Sequence, residues 1–131
     1  MEITLGPWTA DKGISKDLSK PLTEAMGDEA RRTVKRTEGF EPREVPVGEN
    51  KSPGFNIFGK LVKLTQQGRT SEVKAQFNVN VDGFMANVAT VEGKASATAP
   101  MTAEDALRAV VESRVKGLLE AIQAGRVRRQ G

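Results

Sequence analysis

The chain has 131 residues, 37% of them apolar and 28% charged, which suits one soluble domain with a modest core rather than a disordered chain. It holds no Cys and no His, which excludes disulfides, thiol chemistry, Cys–His zinc sites and Ser–His or Cys–His catalysis. Of its 20 basic and 17 acidic residues, Arg126, Arg128 and Arg129 lie in the last six positions, so the net charge of +3 belongs to the tail and the body is neutral. A neutral body argues against an extended nucleic-acid groove, which needs clustered Lys and Arg to displace counterions.

The first residues, MEITLGPWTADKG, show neither a basic n-region nor an apolar h-region, so they do not read as a signal peptide. Met1 reads either as a native start or as a start added to an excised mature domain. No apolar run reaches the length of a transmembrane helix. Ile3 to Trp8 reads as a short strand ending at Gly6-Pro7, with Trp8 at the core edge. Ser15 and Ser19 are both candidate N-caps for a first helix, with Ile14, Leu18, Leu22, Ala25 and Met26 near helical spacing. Pro21 favours a start at Ser19, because its missing N–H costs nothing in a first turn.

Phe40, Val45 and Val47 suggest an irregular strand. Pro42, Pro46 and Pro53 restrict it to a sheet edge, followed by a loop near residues 48–54. Phe55 to Gln66 reads as a central strand, with Phe55, Ile57, Gly59 and Leu61 on one face and Phe58, Val62 and Leu64 on the other. Residues 67–69 make a turn. Residues 72–81 then alternate strictly: Val73, Ala75, Phe77, Val79 and Val81 form a dry face, and Glu72, Lys74, Gln76, Asn78 and Asn80 a wet one. Asp82-Gly83 signals a tight hairpin into a strand from Phe84 to Ala99, whose small residues Gly93, Ala95, Ala97 and Ala99 admit a close neighbour. The last helix starts at Thr102 with Asp105 three residues on, a capping-box pattern. It carries Leu107, Val110, Val111, Val115, Leu118, Leu119 and Ile122 as an apolar stripe and stops at Gly125.

This order predicts an α+β fold, a mostly antiparallel sheet of four or five strands with two helices on one face. Residues 1–125 form a single domain and 126–131 a basic tail. No strong catalytic motif is present. Glu104 and Asp105 are explained by helix capping, and Glu38, Glu41 and Glu44 by a solvated edge, so neither enzyme activity nor a metal or cofactor is expected. The polar row Lys74, Gln76, Asn78 and Asn80 is the candidate partner surface, since its side chains both donate and accept hydrogen bonds. The competing reading of that row is a plain solvated face.

The stretch FNIFGKLVKLTQQGRTSEVKAQFNVNVDGFMANVATVEGKASATA, followed by AEDALRAVVESRVKGLLEAI, resembles a family of small bacterial envelope domains. These are the domains at the N-terminus of TolB, in the LpoB activator of penicillin-binding proteins and in related lipoproteins. The shared features are a glycine-marked strand (here Phe58 to Leu61), a long hairpin and a closing helix rich in Ala, Val and Leu, over residues 54–123. This chain departs from the lipoproteins in showing no leader and no lipid-attachment Cys. The resemblance implies a non-enzymatic, exported protein–protein interaction domain. Its location would be periplasmic or envelope-associated if Met1 is an added start, and cytoplasmic otherwise. Its partner would be another protein, met on the polar face or at a sheet edge, with a homo-oligomer through that edge as one form. The alternative is a cytosolic nucleic-acid- or ribosome-associated module using Arg126, Arg128 and Arg129.

Overall fold

Alternation along residues 70–81 and helical spacing along 103–123 set the two layers of the fold. In the computed structural model the order is β1 (Glu2–Ala10), α1 (Lys16–Arg36), β2 (Glu41–Glu44), β3 (Phe55–Gln67), β4 (Thr70–Val81), β5 (Ala89–Thr98) and α2 (Ala103–Gln123). The structure describes residues 1–44, 54–82 and 87–127. The fold is α+β, with the strands in the order β2-β1-β3-β4-β5. Helix α1 lies over β1, β2 and β3, and α2 over β4 and β5.

The sheet is mixed rather than mostly antiparallel. β1 runs parallel to both β2 and β3, while β3–β4 and β4–β5 are antiparallel. Short turns join antiparallel neighbours, but a parallel pair needs a crossover of about a dozen residues or more. Helix α1 is that crossover between β1 and β2. β1 also continues through Gly6-Pro7 to Ala10, with a register shift between Leu5 and Trp8 that absorbs the interruption.

The core lies between the sheet and the helices. Val73, Ala75, Phe77 and Val79 of β4 pack with Ile3, Ile57 and Leu61, and all seven stripe residues of α2 are buried. Each such side chain contributes roughly 1.5–3 kcal/mol on burial, before the entropy of ordering. The stripe therefore outweighs the cap, which is worth about 1 kcal/mol. The capping box is nonetheless complete: Asp105 N donates to Thr102 Oγ1 (3.3 Å) and Thr102 N to Asp105 Oδ2 (2.8 Å). Small residues of β5 let α2 come close, since a Cβ on Gly93 would lie 2.8 Å from Val110 Cγ1.

Some local expectations change and others fall outside the described residues. Helix α1 starts at Lys16, with the backbone carbonyl of Ser15 accepting from Leu18 and Ser19, so Pro21 falls in the second turn and Leu18 is exposed. Ile14 packs against the core just ahead of it, which sets the start a turn earlier than Ser19. The edge strand β2 covers Glu41–Glu44, and Val45, Pro46, Val47 and Pro53 lie outside the described residues. In β3 a bulge at Val62 shifts the register, so Leu64 pairs with Val73 and turns to the helix side instead of the outer face.

Asp82 itself is described. The last β4–β5 pair among the described residues is Val79 with Ala89, and the expected hairpin at Asp82-Gly83 lies partly outside them. On the β3 side the ladder runs further, with Asn80 and Val81 paired to Asn56 and Phe55. Asp82 is held there too: its N–H donates to Gly54 O (2.7 Å) and its Oδ1 accepts from Gly54 N (2.6 Å). Strand β5 starts at Ala89, and Gly83 and Phe84 lie outside the described residues.

Candidate functional site

The face of the sheet opposite the helices is polar, and the strand register arranges it in rows. One row runs Arg43, Thr4, Asn56, Asn80 across β2, β1, β3 and β4. The next rows are Phe58, Asn78, Thr90 and then Lys60, Gln76, Glu92, both across β3, β4 and β5. The last, beyond the Val62 bulge, is Lys63, Lys74, Lys94. The first end is buried: Thr4 is 1%, Asn56 7% and Asn78 8% exposed. The lysine end is open to solvent.

The four candidate partner residues therefore sit in different surroundings. Asn78 Oδ1 accepts from Asn87 Nδ2 (3.1 Å) and Thr90 Oγ1 (2.9 Å), which ties it to the start of β5. Asn80 Oδ1 is buried and has no hydrogen-bond partner among the described residues. Gln76 is half-buried between Lys60 and Glu92. Lys74 Nζ lies 3.5 Å from Glu92 Oε2. Around Lys74 a concavity of about 200 Å³ is lined by Lys63, Glu72, Val73, Lys74 and Lys94.

Sequence reasoning missed Lys63, Lys94, Thr4 and Asn56. Lys94 could have been found from the alternation of residues 89–98. Lys63 could not, because the bulge that turns it outward leaves no mark in the pattern. Of the tail residues, Arg126 is exposed just past α2, and Arg128 and Arg129 lie outside the described residues. Val127 is buried against the core.

Three of the acidic residues weighed in the sequence have structural partners. Asp105 serves the α2 cap, Glu44 pairs with Arg31, and Glu104 Oε2 accepts from Arg108 Nε (3.3 Å). Arg108 is the centre of an interhelical cluster, with Nη1 at 2.8 Å from Asp28 Oδ2 and 3.6 Å from Glu29 Oε1. The hydrogen bond from Arg108 holds the Asp28 carboxyl below the usual aspartate value, and the same bond raises the Arg108 guanidinium. Glu29 is buried, and its Oε2 has no hydrogen-bond partner among the described residues.

Two edges remain. β2 is four residues long and includes Pro42. β5 runs for ten residues with no Pro, and among the described residues β4 is its single neighbour in the sheet. No helix among the described residues is long and apolar enough to cross a membrane.

No protein-family model and no curated protein matches this chain. Its fold is similar to several solved bacterial structures. The PelC dodecamer from Paraburkholderia phytofirmans superposes with a TM-score of 0.64 at 10% identity, over 89% of this chain and 85% of that one. Protein XCC0632 from Xanthomonas campestris, of the DUF330 family, gives 0.64 at 11% identity, over 95% and 86%. Lipoprotein GNA1162 from Neisseria meningitidis gives 0.50 at 9% identity, over 91% and 98%. At these identities the likeness is one of fold: the chain shares its architecture with bacterial proteins that include a lipoprotein and a dodecamer.

Proposed function

We propose that this chain is a non-catalytic protein–protein interaction module of the bacterial cell envelope. The observation that carries the reading is the free edge of β5. Along its ten residues every second one turns its backbone N–H and C=O away from β4, and these groups have no strand partner among the described residues, on a strand backed by α2 and β4. Such an edge receives a strand from another chain, with main-chain hydrogen bonds supplying affinity. The adjoining outer face, with Gln76, Lys74 and Glu92, supplies polar groups for selectivity.

The envelope location is supported by the fold shared with lipoprotein GNA1162 and by the resemblance of residues 54–123 to the TolB and LpoB domains. The dodecameric state of PelC, on the same architecture, favours a second copy of the chain as one form of partner. Fractionation of the cells that make the protein, combined with light scattering of the purified chain, tests both parts. The reading expects the protein in the envelope fraction and a mass above that of the monomer, either alone or with a co-purifying protein. Recovery as a cytosolic monomer would overturn it.

A further inference from the structure

We infer that the concavity at the open end of the outer face is a phosphate-binding site formed by Lys63, Lys74 and Lys94. The three lysines are register partners on adjacent strands, Lys63 with Lys74 and Lys74 with Lys94. Like charges directly opposite one another across a sheet repel, so the row is unfavourable for the empty fold. It is also poorly neutralised. Lys74 has Glu92 at 3.5 Å, whereas Lys63 and Lys94 make no ion pair among the described residues. One carboxylate, Glu72, lines the same hollow, leaving an excess of positive charge.

The hollow measures about 200 Å³. That lies below the range of roughly 300–1,000 Å³ for sites that enclose a drug-sized ligand. It suits a small multivalent anion, or the end group of a larger molecule, rather than a whole cofactor. Three lysines on adjacent strands can supply several donors to one oxyanion, and lysine serves phosphate as a compact point charge. The arrangement also depends on the bulge at Val62, because without it Lys63 would turn to the helix side. This site goes beyond the strand-addition reading and stands or falls independently of it.

The test is a titration of the full chain with inorganic phosphate against chloride at equal ionic strength, followed by NMR of the backbone amides of Lys63, Lys74 and Lys94. Saturable shifts confined to this row are expected with phosphate. Each ammonium group removed should weaken binding about fivefold, the factor for two unit charges about 4 Å apart in water. The double variant K63Q/K94Q should therefore lose about 25-fold in affinity. Glu72→Gln should tighten it about fivefold. Vesicles of phosphatidylglycerol, compared with phosphatidylcholine, distinguish the source. Competition by anionic vesicles in addition to the phosphate response points to a lipid headgroup, and a phosphate response alone to a soluble phosphate. Shifts equal in phosphate and chloride, unchanged binding in K63Q/K94Q, or vesicle binding with no saturable response to phosphate would overturn the site.

Discussion

The indole of Trp8 lies directly against Gly59. A Cβ at position 59 would sit 3.0 Å from Trp8 Cζ3, and also 3.1 Å from both Gln76 O and Phe77 Cδ1. Gly27 of α1 meets the same ring from the other side, since its Cβ would lie 2.9 Å from Trp8 Cδ1. The ring thus wedges between helix and sheet at two positions where no side chain fits.

Gly59→Ala should therefore lower stability by about 1–2 kcal/mol through overpacking. On a Trp8→Ala background the penalty should shrink, because one wall of the site has gone. Urea unfolding of the four proteins, with unchanged slope, measures this. An equal penalty on both backgrounds would show that Trp8 is not the constraint.

Arg108→Met should cost about 2 kcal/mol, because it leaves Asp28, Glu29 and Glu104 facing each other without their shared cation. Acid should act through Asp28. Its folded-state pKa is lowered, so its contribution is fully present above the usual value of 3.8 and is lost as pH falls through the lower folded value. The group is more than a third exposed, so solvent screens the effect. Urea midpoints from pH 2 to 7 should fall less steeply below pH 4 in Asp28→Asn than in the unmodified protein. Identical acid limbs would remove Asp28 from the account.

Asn78→Ala should cost about 1 kcal/mol, since it strips the acceptor from Asn87 Nδ2 and Thr90 Oγ1. The loss should show as faster amide exchange at the start of β5 rather than across the whole sheet. Gln76→Ala, on the same face with no side-chain hydrogen bond among the described residues, should leave stability within about 0.5 kcal/mol. Equal effects of the two changes would contradict the division of this face into a buried and an open end.

The elements whose signals are local were legible in the sequence. Helix α2 announces itself through Thr102, Asp105, the apolar stripe and Gly125, and the inward face of β4 through strict alternation. What depends on distant partners was not legible. Nothing in residues 2–10 says that β1 runs parallel to both neighbours, because strand direction is set by the α1 crossover. The bulge at Val62 inverts the expected side of Leu64 and brings Lys63 into line with Lys74 and Lys94. Asn78 reads as exposed from its polarity, yet it is buried and its side chain accepts hydrogen bonds from Asn87 and Thr90.

The measurement that bears most directly on the proposed interaction edge is site-specific photocrosslinking in the cells that make the protein. Probes would be placed along β5 at positions 90, 92, 94 and 96, with α2 surface positions 112, 116 and 120 as controls. The account predicts discrete adducts to one protein, or to a second copy of the chain, from the β5 positions and from none of the α2 positions. Adducts confined to the α2 face, or none at all in the envelope fraction, would contradict it.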